Sequence, residues 1–176
     1  MGAHYTQLLV HDSNAERCAN VLRELRRTAV VIPAEGEVSV ICDQQSETQN
    51  IDVIDSLALT VCVRLKCAVV ALINNDDDWL AFRFFDNAEF CGDLITGHTP
   101  FSLRGSIFRL RRLTNPHAPL LALFLTFLAP VIFQTQRHGR LIPILGLPPR
   151  SLGVGFDYIS TGRVRGAFDK NGLIFT

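Results

Sequence analysis

The chain lacks the short motifs by which several enzyme classes are recognised. None of G-x-S-x-G, G-x-x-x-x-G-K-[ST], G-x-G-x-x-G or H-E-x-x-H occurs in it, and these patterns mark catalytic serines, phosphate loops, dinucleotide sites and zinc proteases. The five histidines show no ligand spacing; they are His4, His11, His98, His117 and His138. We therefore predict no catalytic residue, no metal ligand and no cofactor. An enzyme with an unrecognised active site is the alternative, because the residues of a catalytic triad come together in the fold and need not be close in sequence.

Paired cysteines are also missing, and no secretory leader is expected. The number of cysteines is odd, and none forms a C-x-x-C pair; they are Cys18, Cys42, Cys62, Cys67 and Cys91. The first residues contain no basic segment followed by an apolar one, so a signal peptide is not expected. These features predict reduced thiols and a cytoplasmic location.

No apolar run reaches the length of a bilayer span. The longest segment of this kind, residues 118–133, has 16 residues without a charge, whereas a spanning helix needs about 20. Pro119 suits a first helical turn, and Pro130 would end or kink the helix. We predict a central core helix from Pro119 to about Ala129 and no membrane partner. A helix lying in a membrane interface is the alternative.

Acidic residues are scarce in the C-terminal part of the chain. Residues 101–176 contain 2 Asp+Glu and 10 Lys+Arg, whereas residues 1–100 contain 15 and 7. Either the two parts attract each other within one fold, or the basic part binds a nucleic acid or another polyanion. The second interpretation nominates a set of arginines as anion contacts: Arg104, Arg109, Arg111, Arg112, Arg137, Arg140 and Arg150.

What is present in the acidic part is an alternation of strand and helix patterns. The order β-α-β-β-α-β is that of a ferredoxin-like sheet, and residues 74–95 predict a β-hairpin that extends it. Ser13 and Glu16 form a capping box for the first helix, and Asn50 suits the start of the second. One apolar face on each helix places Leu22 and Leu57 in the core.

The rest of the chain is predicted to be a smaller helical part. We predict an acidic α+β sheet domain at 1–100 and a basic, mainly helical subdomain at 101–176. Residues 137–162 have the pattern of helix, turn and helix, which is a shape used in DNA recognition. The three aspartates at 76–78 match no calcium-loop spacing, so a solvated turn is favoured over a metal site.

Two segments carry a resemblance to a known pattern. "DDDWLAFRFFDNAEF" followed by "LGLPPRSLGVGFDYISTG" resembles a family of small bacterial proteins without an assigned activity. In that family a D-D-x-L-x-Y hairpin precedes a segment L-G-L-P…V-G-x-G-[YF]-x-Y-I. The resemblance implies the order of elements and no catalytic residues.

These observations favour a non-catalytic binding or regulatory module that acts through protein–protein contacts. The expected partner is therefore a protein. Nucleic-acid or polyanion binding through the arginines is the alternative, and an enzyme with an unrecognised active site is the third. The sequence carries no signal for an oligomeric state.

Overall fold

A computed structural model describes residues 2–11, 13–34, 36–96, 103–162 and 172–176, and for 103–105 it describes the backbone alone. The strands are β1 (Tyr5–His11), β2 (Ala29–Ile32), β3 (Val38–Asp43), β4 (Val69–Asn75), β5 (Trp79–Asp86), β6 (Glu89–Ile95) and β7 (Ile174–Phe175). The helices are α1 (Ala15–Glu24), α2 (Ile51–Leu65), α3 (Leu103–Thr114), α4 (Leu120–Leu128), α5 (Gln134–Leu145) and α6 (Phe156–Thr161). Short 3₁₀ turns lie at Gln45–Thr48 and Pro149–Ser151.

The first two helices begin at asparagines. The side chain of Asn50 accepts a hydrogen bond from the Asp52 amide at 3.0 Å, which confirms the predicted cap of α2. The predicted capping box of α1 is wrong by one residue. Asn14 caps that helix by accepting from the Arg17 amide at 2.8 Å, whereas Ser13 is buried. Asparagine is as good an N-cap residue as serine, so the sequence offers two adjacent candidates for the N-cap of α1.

One antiparallel sheet connects the two ends of the described chain. Its strand order is β6-β5-β4-β1-β3-β2-β7, so the predicted α+β class is confirmed. The predicted hairpin is β5 and β6, and Asn87 and Ala88 have positive φ in its turn. At the opposite edge, Ile174 of β7 pairs with Val31 of β2.

Both faces of the sheet are covered by helices. On one face α1 and α2 bury Leu22 and Leu57, as their apolar patterns predicted. On the other face α3 to α6 bury a second core, which includes Leu110, Leu123 and Leu141. The division into domains at residue 100 stays a prediction.

The predicted helix-turn-helix shape is wrong for its second helix. Helix α5 ends at Leu145, and Gly146 follows with a φ of 68°. Only a 3₁₀ turn at Pro149–Ser151 comes next, and Gly153 then has a φ of 64°. Glycine adopts this left-handed conformation at low cost, and such a residue ends a helix. Helix α6 is a separate element of 6 residues.

The cysteines are distributed over both layers. None of the five, all of which the structure describes, forms a disulfide bond. Cys18, Cys42 and Cys62 are buried, and Cys67 and Cys91 are partly exposed. Burial raises the pKa of the Cys18 thiol, which therefore stays protonated and weakly nucleophilic.

Candidate interaction surface

Helix α4 lies at the surface, contrary to the prediction of a core helix. It does occupy Leu120–Leu128 after Pro119, close to the predicted bounds. Only Leu123, Thr126 and Phe127 are buried, and the Phe127 ring contacts Phe82 of the sheet edge-on at 5.9 Å. The helix therefore packs through one side. Within the described residues, no helix combines the length and apolarity needed to cross a membrane.

The opposite side of α4 and the residues that follow the helix carry large apolar side chains that face solvent. Leu121, Leu125 and Leu128 are 71%, 57% and 63% exposed, and Ile132 and Phe133 are 81% and 51% exposed. The leucines recur at intervals of 4 and 3 residues and form one stripe. Monomeric proteins rarely expose a contiguous patch of this kind without a use for it. We call Leu121, Leu125, Leu128, Ile132 and Phe133 the α4 face.

A polar cleft borders one end of the α4 face. Its volume is about 350 Å³, and Leu128 and Ile132 both line it. Asp78, Gln134 and Arg137 also line the cleft. An apolar centre beside polar groups is the usual composition of a protein contact surface.

Arg137 supports the α4 face from below. Its buried guanidinium donates to the carbonyl oxygens of Thr126, Phe127 and Ala129 at 3.2, 3.4 and 3.0 Å. These are carbonyls at the C-terminal end of α4, where the helix itself supplies no donor. Burial, with the charge of Arg140 as a smaller contribution, lowers the pKa of Arg137. Arg137 therefore positions α4.

The three arginines of α3 with described side chains contact three different parts of the protein. Arg109 donates to the Cys91 carbonyl of β6, and Arg111 donates to the Ala118 carbonyl at 2.7 Å. Arg112 forms an ion pair with Asp86 at 3.1 Å, which is the one such pair between residues 1–100 and the C-terminal part among the described side chains.

The remaining candidate anion contacts lie on other elements. Arg140 is exposed on α5, and Arg150 is partly exposed on the 3₁₀ turn at Pro149–Ser151. The side chain of Arg104 lies outside the described residues. Among the described side chains, Arg109, Arg111, Arg112 and Arg137 each contact another part of the protein, and Arg140 lies close enough to Arg137 for its charge to act on it.

The segment that carries the family resemblance is anchored on the sheet. Gln7 of β1 donates through Nε2 to the carbonyls of Ser151 and Val154 at 2.6 and 2.7 Å. Glu47 accepts a hydrogen bond from the Phe156 amide at 2.8 Å. A Cβ on Gly155 would lie 2.2 Å from the Glu47 carboxylate, so only glycine fits without displacement. The segment L-G-V-G-F at residues 152–156 therefore has a packing role here.

The acidic turn at 76–78 is organised around one aspartate. Asp77 accepts hydrogen bonds from the amides of Ala3 and Thr135 at 2.8 and 2.9 Å and from Asn74 Nδ2 at 3.0 Å. Burial alone would raise the pKa of Asp77, but the hydrogen bonds outweigh it, and the pKa lies below its usual value. Asp76 and Asp78 are exposed. Among the described residues, no three His, Cys, Asp or Glu side chains are placed to hold a metal ion.

Tyr5 and His138 form a buried pair beside this turn. The Tyr5 hydroxyl and His138 Nδ1 are 2.7 Å apart, and both side chains are fully buried. Burial lowers the pKa of His138 to about 4, so the ring is neutral at physiological pH. A tyrosine beside a neutral histidine can exchange a proton, but a substrate cannot reach a fully buried pair. Its observed role is to join β1 to α5.

No protein-family model, curated protein or solved structure matched the chain. The resemblance to the small bacterial family therefore stays a prediction.

Proposed function

We propose that this protein is a non-catalytic binding module that acts through protein–protein contacts, with the α4 face as its contact surface. The observation that carries the proposal is the exposure of five large apolar side chains, each more than half exposed, within residues 121–133. Burying such a surface against a partner removes it from water, which is the main favourable contribution to protein association.

The surroundings of α4 support this proposal. The helix is fixed in place by the buried Arg137 and by ring contacts of Phe127 and Phe124 with Phe82 and Phe108. A rigid, preformed surface loses little conformational entropy on binding. The apolar side chains of the α4 face are thus presented on a fixed scaffold.

Two finer expectations belong to the same proposal. We treat β1 to β4 with α1 and α2 as a ferredoxin-like unit, which the placement of β1 between β4 and β3 supports. We also place the protein in the cytoplasm, which the absence of disulfides among its five cysteines supports.

The contact surface is tested by capture from the native host. Immobilised wild-type protein is expected to retain a defined partner, and the double variant Leu121→Glu/Leu128→Glu is expected to lose it. Val63→Glu is the matched control, because Val63 is also an exposed apolar residue but lies on α2. Quantitative proteomics of the three eluates measures the difference. Identical eluates from all three would show that the α4 face is not the contact surface.

Polyanion binding is expected to be absent. A labelled duplex or single strand should not bind even at about 50 mM salt, where phosphate contacts are strongest. Replacing Arg109, Arg111 and Arg112 with alanine should instead lower the melting temperature, because all three make intramolecular contacts. Tight, salt-sensitive binding that the triple variant loses at an unchanged melting temperature would favour the polyanion alternative.

A further inference from the structure

We infer that the α4 face is covered by the α4 face of a second copy of this chain, in a two-fold symmetric dimer. The inference rests on the proposal that this face binds protein, and it names the partner. In a two-fold contact the same patch lies on both sides, so the patch must be complementary to itself.

The charge of the surface fits a second copy. Residues 118–133 contain no charged side chain, so two α4 faces meet without like-charge repulsion. The whole chain contains 17 Lys+Arg and 17 Asp+Glu. Copies without net charge do not repel each other at a distance, and such proteins associate more readily.

The same charges disfavour a membrane surface as the occupant. Helices that lie in a lipid interface combine an apolar face with exposed lysines or arginines that bind anionic headgroups. The arginines nearest to α4 along the chain are Arg112 and Arg137. Arg112 is paired with Asp86, and Arg137 is buried against carbonyl groups. Neither of these two arginines therefore offers a free positive charge to anionic headgroups beside the α4 face.

The spacing of the leucines suits helix-on-helix packing. Leu121, Leu125 and Leu128 follow the 4-3 spacing of a coiled-coil seam. Two antiparallel copies of α4 would place Leu125 near the two-fold axis and Leu121 against the partner's Leu128. The uncovered leucines would then fill the grooves of the facing helix.

The available area is sufficient for a stable contact. From their exposed fractions, the five side chains present an apolar surface on the order of 600 Å² per copy. A symmetric contact would bury about twice that, which is the lower limit for a specific interface. Phe108, itself exposed on α3 and in ring contact with Phe124 of α4, can add to it.

A charge-swap experiment tests the dimer. Sedimentation and light scattering of the purified full chain at about 20 μM, a concentration at which micromolar affinity gives mostly dimer, should show twice the chain mass of 19.6 kDa. Leu125→Glu and Leu125→Lys should each be monomeric, with dimer dissociation constants raised about 100-fold or more, because each places like charges at the axis. Mixing the two variants should restore a dimer, now with opposite charges at the axis. Val63→Glu should remain dimeric.

The outcomes separate this inference from the proposed function. A monomeric wild type at about 100 μM would overturn the dimer, because such a contact would be weaker than micromolar; host proteins lost by Leu121→Glu/Leu128→Glu would then leave the proposed function standing. A dimer that persists in both Leu125 variants would place the contact elsewhere and overturn the inference. So would a mixture of the variants that stays monomeric. If the wild type is monomeric and binds vesicles of phosphatidylcholine and phosphatidylserine, the occupant of the α4 face is a lipid surface and the dimer is overturned.

Discussion

Replacing Asp77 with alanine is expected to lower the free energy of unfolding by about 3 kcal/mol, since hydrogen bonds to charged groups contribute about 1.5–3 kcal/mol each but are not additive. Its carboxylate accepts from two backbone amides, of Ala3 and Thr135, and from the side chain of Asn74. The variant loses these hydrogen bonds and leaves the Thr135 amide, in the first turn of α5, without the carboxylate as its acceptor. Urea denaturation at pH 7 measures the change.

Asp76→Ala provides a matched control for this prediction. Asp76 is the preceding residue, is exposed, and has a positive φ of 49°, close to the 62° of Asp77. Alanine at either position carries a similar backbone strain. The difference between the two variants therefore reports the hydrogen bonds of Asp77 alone. Equal losses of stability in both variants would show that the turn conformation, and not the carboxylate, stabilises the fold.

This role of Asp77 could not be found from the sequence. The three consecutive aspartates are compatible with a metal site or with a solvated turn. Both interpretations consider only residues that are adjacent in the sequence. The partners that decide the matter, Ala3 and Thr135, lie 74 and 58 positions away. Contacts over such distances leave no periodicity, so only the assembled fold shows which of the three aspartates is structural.

The strands and helices themselves were largely predictable. Helix α2 shows a regular apolar face and a capping asparagine, and β4 is a continuous apolar run. These are local patterns, and the physical cause of each lies within one element. Local signals also located the β5–β6 hairpin, because Asp86 and Asn87 tolerate turn conformations.

Helix α4 shows where this reasoning fails. In most surface helices polar residues mark the side that faces water. In α4 the one polar residue, Thr126, is buried, and its hydroxyl donates to the Ala122 carbonyl at 2.8 Å. Both sides of the helix are otherwise apolar, so the sequence indicates a helix without indicating which side is exposed. An uncovered apolar side is a property of the fold, and it is the property on which the proposed function depends.

The second large effect concerns pH and Glu47. This glutamate is buried in the 3₁₀ turn at Gln45–Thr48, and burial raises its pKa from 4.5 to about 7. The nearby charges of Asp157 and Asp43 act in the same direction, while the Phe156 amide opposes them. A carboxyl with a raised folded-state pKa stabilises the fold fully below pH 4.5, and this contribution is lost as the pH rises through about 7.

His138 contributes with the opposite sign over nearly the same range. Its pKa is lowered by burial from 6.5 to about 4, so its contribution is present above pH 6.5 and is lost as the pH falls through about 4. The two effects offset each other in the wild-type profile. The His138 contribution cancels when the free energy of unfolding of a Glu47 variant is compared with that of the wild type, because both proteins contain this histidine.

Glu47→Gln is therefore expected to be more stable than the wild type by about 3 kcal/mol at pH 8 and by less than about 1 kcal/mol at pH 5. Glutamine can still accept the hydrogen bond from the Phe156 amide, but it carries no charge that burial would penalise. Urea denaturation of both proteins at the two pH values, at equal protein concentration, measures the difference. Glu89→Gln, at an exposed position of β6, should change stability by less than about 0.5 kcal/mol at either pH. A Glu47→Gln difference that is the same at pH 5 and pH 8 would mean that the carboxyl is already ionised at pH 5 in the folded protein. In that case the carboxyl that lies against Gly155 would be a buried, ionised carboxylate at both pH values.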